Sequence, residues 1–542
     1  MALIPGLAQA ADPAPAAGKG TGLAQPDLNL AAELAKAKGQ VSKSFTSAAD
    51  RTVKAPAAAG APRAKAAAEP DYEVGLDAGT TSAHGIELVS EVTAPSGQSL
   101  TVTIDWGDQS WSESYGTSGS GVEKRPHTYA EVGTYVVTVK VEDLSAGTSV
   151  TNKVTVTTMG SEFTPHTPTR LLDTRDGTGA RQGKVARNGT ARVKVAGAGK
   201  IPAGATAVVL NVTVTNTTRA GHITAFPTGF QRPATSNLNF EPGQTVPNLV
   251  IVPVGADGKV DLYNSGVGTV DLIADVTGYF TQSAASGYTA TNPSRIVDTR
   301  DGLGTRKGQV AGYATFSTPV RGYAGVPADA TAVALNVTVT NPKDAGHLTV
   351  YPGGQVPTAS NLNFSGGQTV ANAVIVPIGS DGRIRVRNGS WKGTDVIVDV
   401  VGYYSPGSQA AYVPFQPIRW LDTRDTASWK HGPLPSGFYI YSKLSTMYPG
   451  TKAFAMNTTV TNPKGVGFLA VAPDPNSKEA YAGGWNVPPD NPTSSTLNFT
   501  PGKTVPNLVQ ASTGNHGIVD FFNKSNGSID LIIDIFGDYE VD

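Results

Sequence analysis

Between about residues 72 and 158, polar and apolar positions alternate with a period of two. The clearest runs are Thr101-Val102-Thr103-Ile104-Asp105-Trp106 and Thr134-Tyr135-Val136-Val137-Thr138-Val139-Lys140-Val141, separated by Gly and Asp turns. Neighbouring side chains of an extended strand point to opposite faces, so these runs predict half-buried strands and, over that span, one small β-sandwich. From residue 163 the pattern repeats three times at a spacing of about 125 residues. Arg170-Leu171-Leu172-Asp173-Thr174-Arg175-Asp176 returns at Arg295 and at Arg419. Leu210-Asn211-Val212, Leu238-Asn239-Phe240 and Asp271-Leu272-Ile273-Ala274-Asp275 follow in the same order in every copy. A period this long implies whole domains rather than solenoid turns. Short strands joined by Gly and Pro turns predict three tandem β-sandwich repeats, at 164–282, 288–405 and 412–542.

The first 70 residues lack this pattern. Residues 1–10, MALIPGLAQA, read as the end of a signal peptide, with small residues at Ala8 and Ala10 but no charged n-region. Residues 11–70 are rich in Ala, Pro and Lys and carry only a faint helical stretch, Leu30 to Lys38. That composition predicts a disordered leader, stiffened at Ala55-Pro56 and Ala61-Pro62.

Composition narrows the class. The 542 residues include 62 Gly and 38 Pro and are otherwise rich in Val and Thr, which predicts an all-β protein of several domains. A formal charge of -1 supplies no basic field of the kind nucleic acid or an anionic membrane requires. No apolar run is long enough for a membrane-spanning helix. The absence of cysteine removes disulfides, thiolate metal sites and cysteine nucleophiles. No cofactor or metal is expected.

Ile104-Asp105-Trp106-Gly107-Asp108 followed by Pro126-His127-Thr128-Tyr129 and Gly133-Thr134-Tyr135 resembles the PKD domain, with Gln109 and Val139 at two positions that depart from its signature. The resemblance implies an immunoglobulin-like sandwich serving as an extracellular spacer. The three later copies, by their LDTR and LNF landmarks, resemble a repeat found in secreted and surface proteins of actinobacteria. That implies location and modularity, and no ligand.

Polar residues shared by the copies are the candidates for chemistry: Asp173, Arg175 and Asp275, then Asp298, Arg300 and Asp399, then Asp422, Arg424 and Asp534. Asp271 and Asp275 lie four apart on one strand face, and a buried carboxylate is costly unless paired, so Arg175 is expected to answer them in a structural network. A glycan groove, or a cation site with Asn239 and Asn248, is the alternative. Paired acids also admit a glycosidase reading, but no HExxH, GxSxG or Walker loop accompanies them. The third copy has about ten extra residues within 473–495 and three of the six tryptophans. Tyr481, Trp485 and Trp429 are therefore the candidate ligand-binding residues, and the aromatics Phe438, Tyr439, Tyr441 and Tyr448 accompany them. The sequence thus predicts a secreted, non-catalytic binding or adhesion protein facing a cell-wall or extracellular polysaccharide, or a surface protein. The second reading is a structural stalk or assembly subunit whose repeats pack on one another.

Overall fold

The computed structural model describes residues 28–47, 70–443, 450–490 and 492–542. The signal-peptide-like run, the two Ala-Pro pairs and Tyr448 lie outside them. The described chain is almost entirely antiparallel β-structure in eight four-stranded sheets.

The first sandwich places Glu73–Thr80, Gly85–Thr93 and Gly121–Thr128 in one sheet, and Glu113–Ser118, Ser99–Asp105, Thr134–Asp143 and Thr148–Thr157 in the other. Val74, Leu88, Val102, Trp106, Tyr129 and Val139 fill the space between them. Asp105 and Asp108 cap their own turns by accepting from the Gly107 and Ser110 amides at 2.9 and 3.0 Å. His127 stacks on Trp106 at 4.4 Å and joins Asp108 through Nε2 at 2.8 Å.

Part of the stretch expected to be an unstructured leader is built into the fold. Ser44–Ser47 adds a strand to the edge of the first sheet, beside Glu73–Thr80. The helix Leu28–Gly39 lies on the third repeat, with Leu34 and Ala37 buried in that repeat's core. Lys38 is buried between Asp538, at 2.5 Å, and Glu540. Glu540 also accepts the Ala83 amide at 3.0 Å, so one carboxylate ties the helix, the first sandwich and the C-terminal strand together.

Each repeat has eight strands. In the first they are Glu162–Asp173, Thr190–Lys194, Ala205–Thr215, Gly221–Pro227, Leu238–Phe240, Val246–Pro253, Lys259–Asn264 and Asp271–Thr281. Numbered in chain order within the repeat, one sheet runs 6-3-8-1 and the other 2-7-4-5. That order is a jelly roll. The other two repeats have the same order. The opening strand of each copy contains proline (Pro165 and Pro168, Pro293, Pro414 and Pro417) and lies at a sheet edge, where a missing amide donor is tolerated.

The three rolls close around a common axis. Ala205–Thr215 is buried along nearly its whole length: Val208, Leu210 and Val212 face the roll's own core, while Ala207 and Val209 face the other two repeats. Ala332 and Ala334 of the second copy, and Ala453 and Ala455 of the third, complete this layer, and their small side chains let the strands approach. Next to it six buried rings alternate around the axis. Phe163 of the first repeat meets Tyr404 of the second at 4.2 Å, Tyr288 of the second meets Tyr539 of the third at 4.4 Å, and Tyr412 of the third meets Phe280 of the first at 4.7 Å. Gly278, Gly402 and Gly537 make room for these rings. A Cβ on them would fall 2.1 Å from Phe163, 2.2 Å from Tyr288 and 2.4 Å from Tyr412.

Candidate functional site

The Asp and Arg residues shared by the repeats form one linear network per copy, with a connectivity different from that expected. Asp275 stands across from Arg170 in the strand register, and Arg170 holds it through Nε at 2.9 Å. The same guanidinium reaches Asp173 at 3.0 Å, and Arg175 grips Asp173 with two bonds at 2.9 and 2.7 Å. The order Asp275, Arg170, Asp173, Arg175 recurs as Asp399, Arg295, Asp298, Arg300 and as Asp534, Arg419, Asp422, Arg424. Arg175 therefore does not answer Asp271 and Asp275. It sits past the strand end, on the turn, and Asp271 instead accepts from Thr174 at 3.0 Å and Asn216 at 2.8 Å. Burial raises the Asp275 carboxyl above the ordinary aspartate value against the pull of Arg170, whereas the hydrogen bonds from Arg175 lower Asp173. Asp271 and Asp275 are both buried, each saturated within its own network.

These networks lie on the seams between rolls. Arg419 donates to the Ala234 carbonyl of the first repeat at 3.0 Å, and Asp534 accepts the Ser236 amide at 3.2 Å. Asn248, a possible cation ligand by sequence, spends its side chain on a seam as well, donating to Asn457 of the third repeat at 2.9 Å and to the Asn237 carbonyl. Asn239 accepts from Ser236 at 3.4 Å. Among the described residues no cluster of three or more His, Asp or Glu side chains is arranged to hold a metal ion. A cavity of about 40 Å³ opens between the second and third rolls beside Asn336, Asp399 and Ser495, with room for a few waters.

The three aromatic candidates separate into different roles. Trp429 is a core lid: its indole donates to the Trp420 carbonyl at 3.1 Å and its ring packs 5.0 Å from Trp420. Tyr481 is half-buried, stacked on Tyr441 at 4.0 Å with its hydroxyl donated to Asp474 at 2.5 Å. Trp485 is displayed, 65% exposed. The loop beneath Trp485 is fastened. Ser477 caps the helix Lys478–Gly483, Gly484 ends it in the left-handed region at φ 69°, and the Trp485 amide bonds back to the Ala480 carbonyl. Asn476 clamps Val487 with two bonds, at 2.7 and 2.8 Å, and both Asn476 and Tyr481 hang on Asp474. Tyr439 and Tyr441 are buried and Phe438 packs against the core, so these rings support the loop rather than the surface.

Under this loop lies a pair of acids not identified from sequence. Asp520 is fully buried, and among the described residues no donor reaches either of its oxygens. Burial first, and the Asp474 carboxylate second, push its carboxyl up to about 10, so it is a neutral acid near neutral pH. The signal available in the sequence was Asp520 inside the apolar run Ile518 to Phe522, where an unpaired charge is costly. Other rings are exposed as well: Trp391 is 78% exposed in the second repeat and Trp111 95% in the first sandwich.

No family model and no curated protein matches the chain. Among solved structures, a SusE-like protein matches 35% of this chain and 93% of its own length at 13% identity, with a TM-score of 0.12. A chain from the atomic structure of Sulfolobus turreted icosahedral virus matches 70% of this chain and 91% of its own at 9% identity, with a TM-score of 0.16. At scores this low neither likeness bears on what this chain binds. No helix among the described residues is long and apolar enough to cross a membrane.

Proposed function

We propose that this chain is a secreted, non-catalytic binding protein of the cell envelope, in which a closed body of three jelly rolls presents the 474–495 loop of the third repeat to an extracellular glycan. The observation that carries this reading is Trp485, a large ring 65% exposed on a loop that is hydrogen-bonded at both ends. A ring held in place loses little entropy on contact and offers its apolar face to a sugar. The first sandwich, with its resemblance to PKD domains, serves in this reading as the spacer toward the N-terminal segment. A second reading, an assembly subunit, draws on the six-ring axial core, which shows that the repeats bury their apolar faces on each other.

The test is retention of the full chain on insoluble cell wall and on neutral polysaccharides, with Trp485→Ala alongside. Retention that Trp485→Ala weakens about tenfold, at an unchanged melting temperature, supports the glycan reading. Absence of retention on every polymer, or equal retention of the variant, removes it and favours the assembly role.

A further inference from the structure

A second surface, on the outer sheet of the middle repeat, has the chemistry of a different ligand. The strand Arg383–Asn388 turns Ile384, Val386 and Asn388 inward and Arg383, Arg385 and Arg387 outward. At a rise of about 3.3 Å per residue the three guanidinium stems span on the order of 13 Å along the sheet. The corresponding positions hold Lys259, Asp261 and Tyr263 in the first repeat and Ile518, Asp520 and Phe522 in the third, so the arginine row belongs to the middle copy.

The row is fixed in place, and among the described residues most of it has no carboxylate partner. Arg383 donates to Ser317 Oγ at 2.7 Å and to the Ser317 carbonyl at 2.9 Å. Arg387 donates to the Tyr313 carbonyl at 2.9 Å. Arg321, on the turn paired to Gly382, donates twice to the Ala330 carbonyl, at 3.1 and 2.9 Å. Each of these bonds goes to an uncharged oxygen. Arg385 is neutralised by Asp381 at 2.5 Å, and Lys392 stands 4.0 Å from Asp344.

Exposed rings bracket the row. At one end Trp391, 78% exposed, meets Tyr313 edge to face at 5.2 Å, and the Arg387 guanidinium lies 5.9 Å from the Tyr313 ring centre. At the other, Tyr323 is 54% exposed on the Arg321 turn. Tyr313 adopts φ 56°, in the left-handed region that a bulky side chain rarely enters. Its counterparts are Asn188 and Gly437, residue types that tolerate the conformation. Tyr313 is kept there against backbone preference and is paired with a solvent-facing tryptophan, and strain of this kind marks a candidate functional position.

We propose that this face of the middle repeat is a binding site for an acidic polysaccharide, with Trp391 and Tyr313 against sugar rings and Arg387, Arg383 and Arg321 against the carboxylates along the chain. Guanidinium groups pair with carboxylates through two parallel bonds, and aromatic faces accept the apolar side of a sugar. The site is separate from the Trp485 loop and does not depend on that loop binding a glycan. Nucleic acid is disfavoured because the chain as a whole carries a charge of only -1, without the wide basic field such ligands draw on.

The experiment is affinity electrophoresis of the full chain through gels containing polygalacturonate, with dextran as the neutral control. Trp391→Ala, Arg387→Gln and Trp485→Ala are run beside the wild type, and melting temperatures confirm that each is folded. Single-stranded DNA and phosphatidylserine vesicles are the competing anions. Retardation by polygalacturonate but not dextran, weakened about tenfold or more in Trp391→Ala and Arg387→Gln, intact in Trp485→Ala and reduced by added salt, is the expected result. No retardation by polygalacturonate, equal retardation of all variants, loss in Trp485→Ala alone, or binding only to DNA or vesicles overturns the proposal.

Discussion

Asn372 of the second repeat donates its side-chain amide to Oδ1 of Asn211 in the first, 161 residues earlier, at 3.2 Å. Asn507 does the same to Asn336 at 3.0 Å and Asn248 to Asn457 at 2.9 Å, so the contact passes once round the axis and returns. Each of these donors also bonds a carbonyl of its own repeat, and each acceptor residue donates to a serine carbonyl of the neighbouring one. A buried polar ring satisfied this fully fixes one register among the three rolls, because any other leaves amides unpaired.

Replacing one member exposes that dependence. Asn372→Ala strands the Asn211 oxygen, the Asn361 carbonyl and the Leu249 amide. The expected cost is about 1–3 kcal/mol. Scanning calorimetry is predicted to show the three repeats still unfolding together at a lower temperature, and three separate transitions in the wild type would contradict the ring's role.

Arg170 and Arg175 are predicted to differ. Among the described residues Arg170 is the ion-pair partner of the buried Asp275, so Arg170→Ala strips that carboxylate of its paired cation and is expected to cost about 3 kcal/mol. Arg175 is about half exposed and binds only Asp173, which Arg170 also holds. Arg175→Ala is expected to cost about 1 kcal/mol or less. Urea denaturation of the two variants decides it; equal losses would mean the order of the network is misread.

Lys38→Met tests the docked helix. The change leaves Asp538 and Glu540 buried without their cation, at an expected cost of about 3–5 kcal/mol. Brief proteolysis is predicted to cut the variant between residues 28 and 47 at a rate the wild type resists.

Asp520 predicts a pH dependence. Its carboxyl moves from an ordinary 3.8 to about 10 in the folded chain. The native state therefore keeps a proton that the unfolded chain loses. The associated stability is complete below about pH 4 and declines as pH rises toward about 10. Asp520→Asn carries no such proton, so it is predicted to melt higher than wild type near pH 8 and to show a flatter profile, with little difference near pH 4. Parallel profiles would place the proton elsewhere.

The all-β class, the three copies and their landmark strands were legible because period-two alternation and turn residues are local signals. Closure was not, although a trace of it was written in Ala207-Val208-Val209-Leu210, where both strand faces are apolar, and in the glycines opposite Phe163, Tyr288 and Tyr412. Spacing along one strand points to Arg175 rather than Arg170 because it does not reveal the cross-strand register, which is set by the shifts around Asp275 and Gly278. The helix Leu28–Gly39 read as leader because its partner, Glu540, lies 502 residues away from Lys38. Trp429 reads as a surface ring because nothing in the local sequence places the Trp420 carbonyl beneath its indole.

The most direct test of the closed body uses the absence of cysteine in the chain. Lys503 of the third repeat pairs with Glu241 of the first, 262 residues away, and both side chains are about half exposed. In the double variant Glu241→Cys with Lys503→Cys, a short bismaleimide at high dilution is predicted to join the two sites within one chain, giving a single faster-migrating band. Monomer bands that never shift, with cross-links appearing only between molecules, would show that the repeats run as a string.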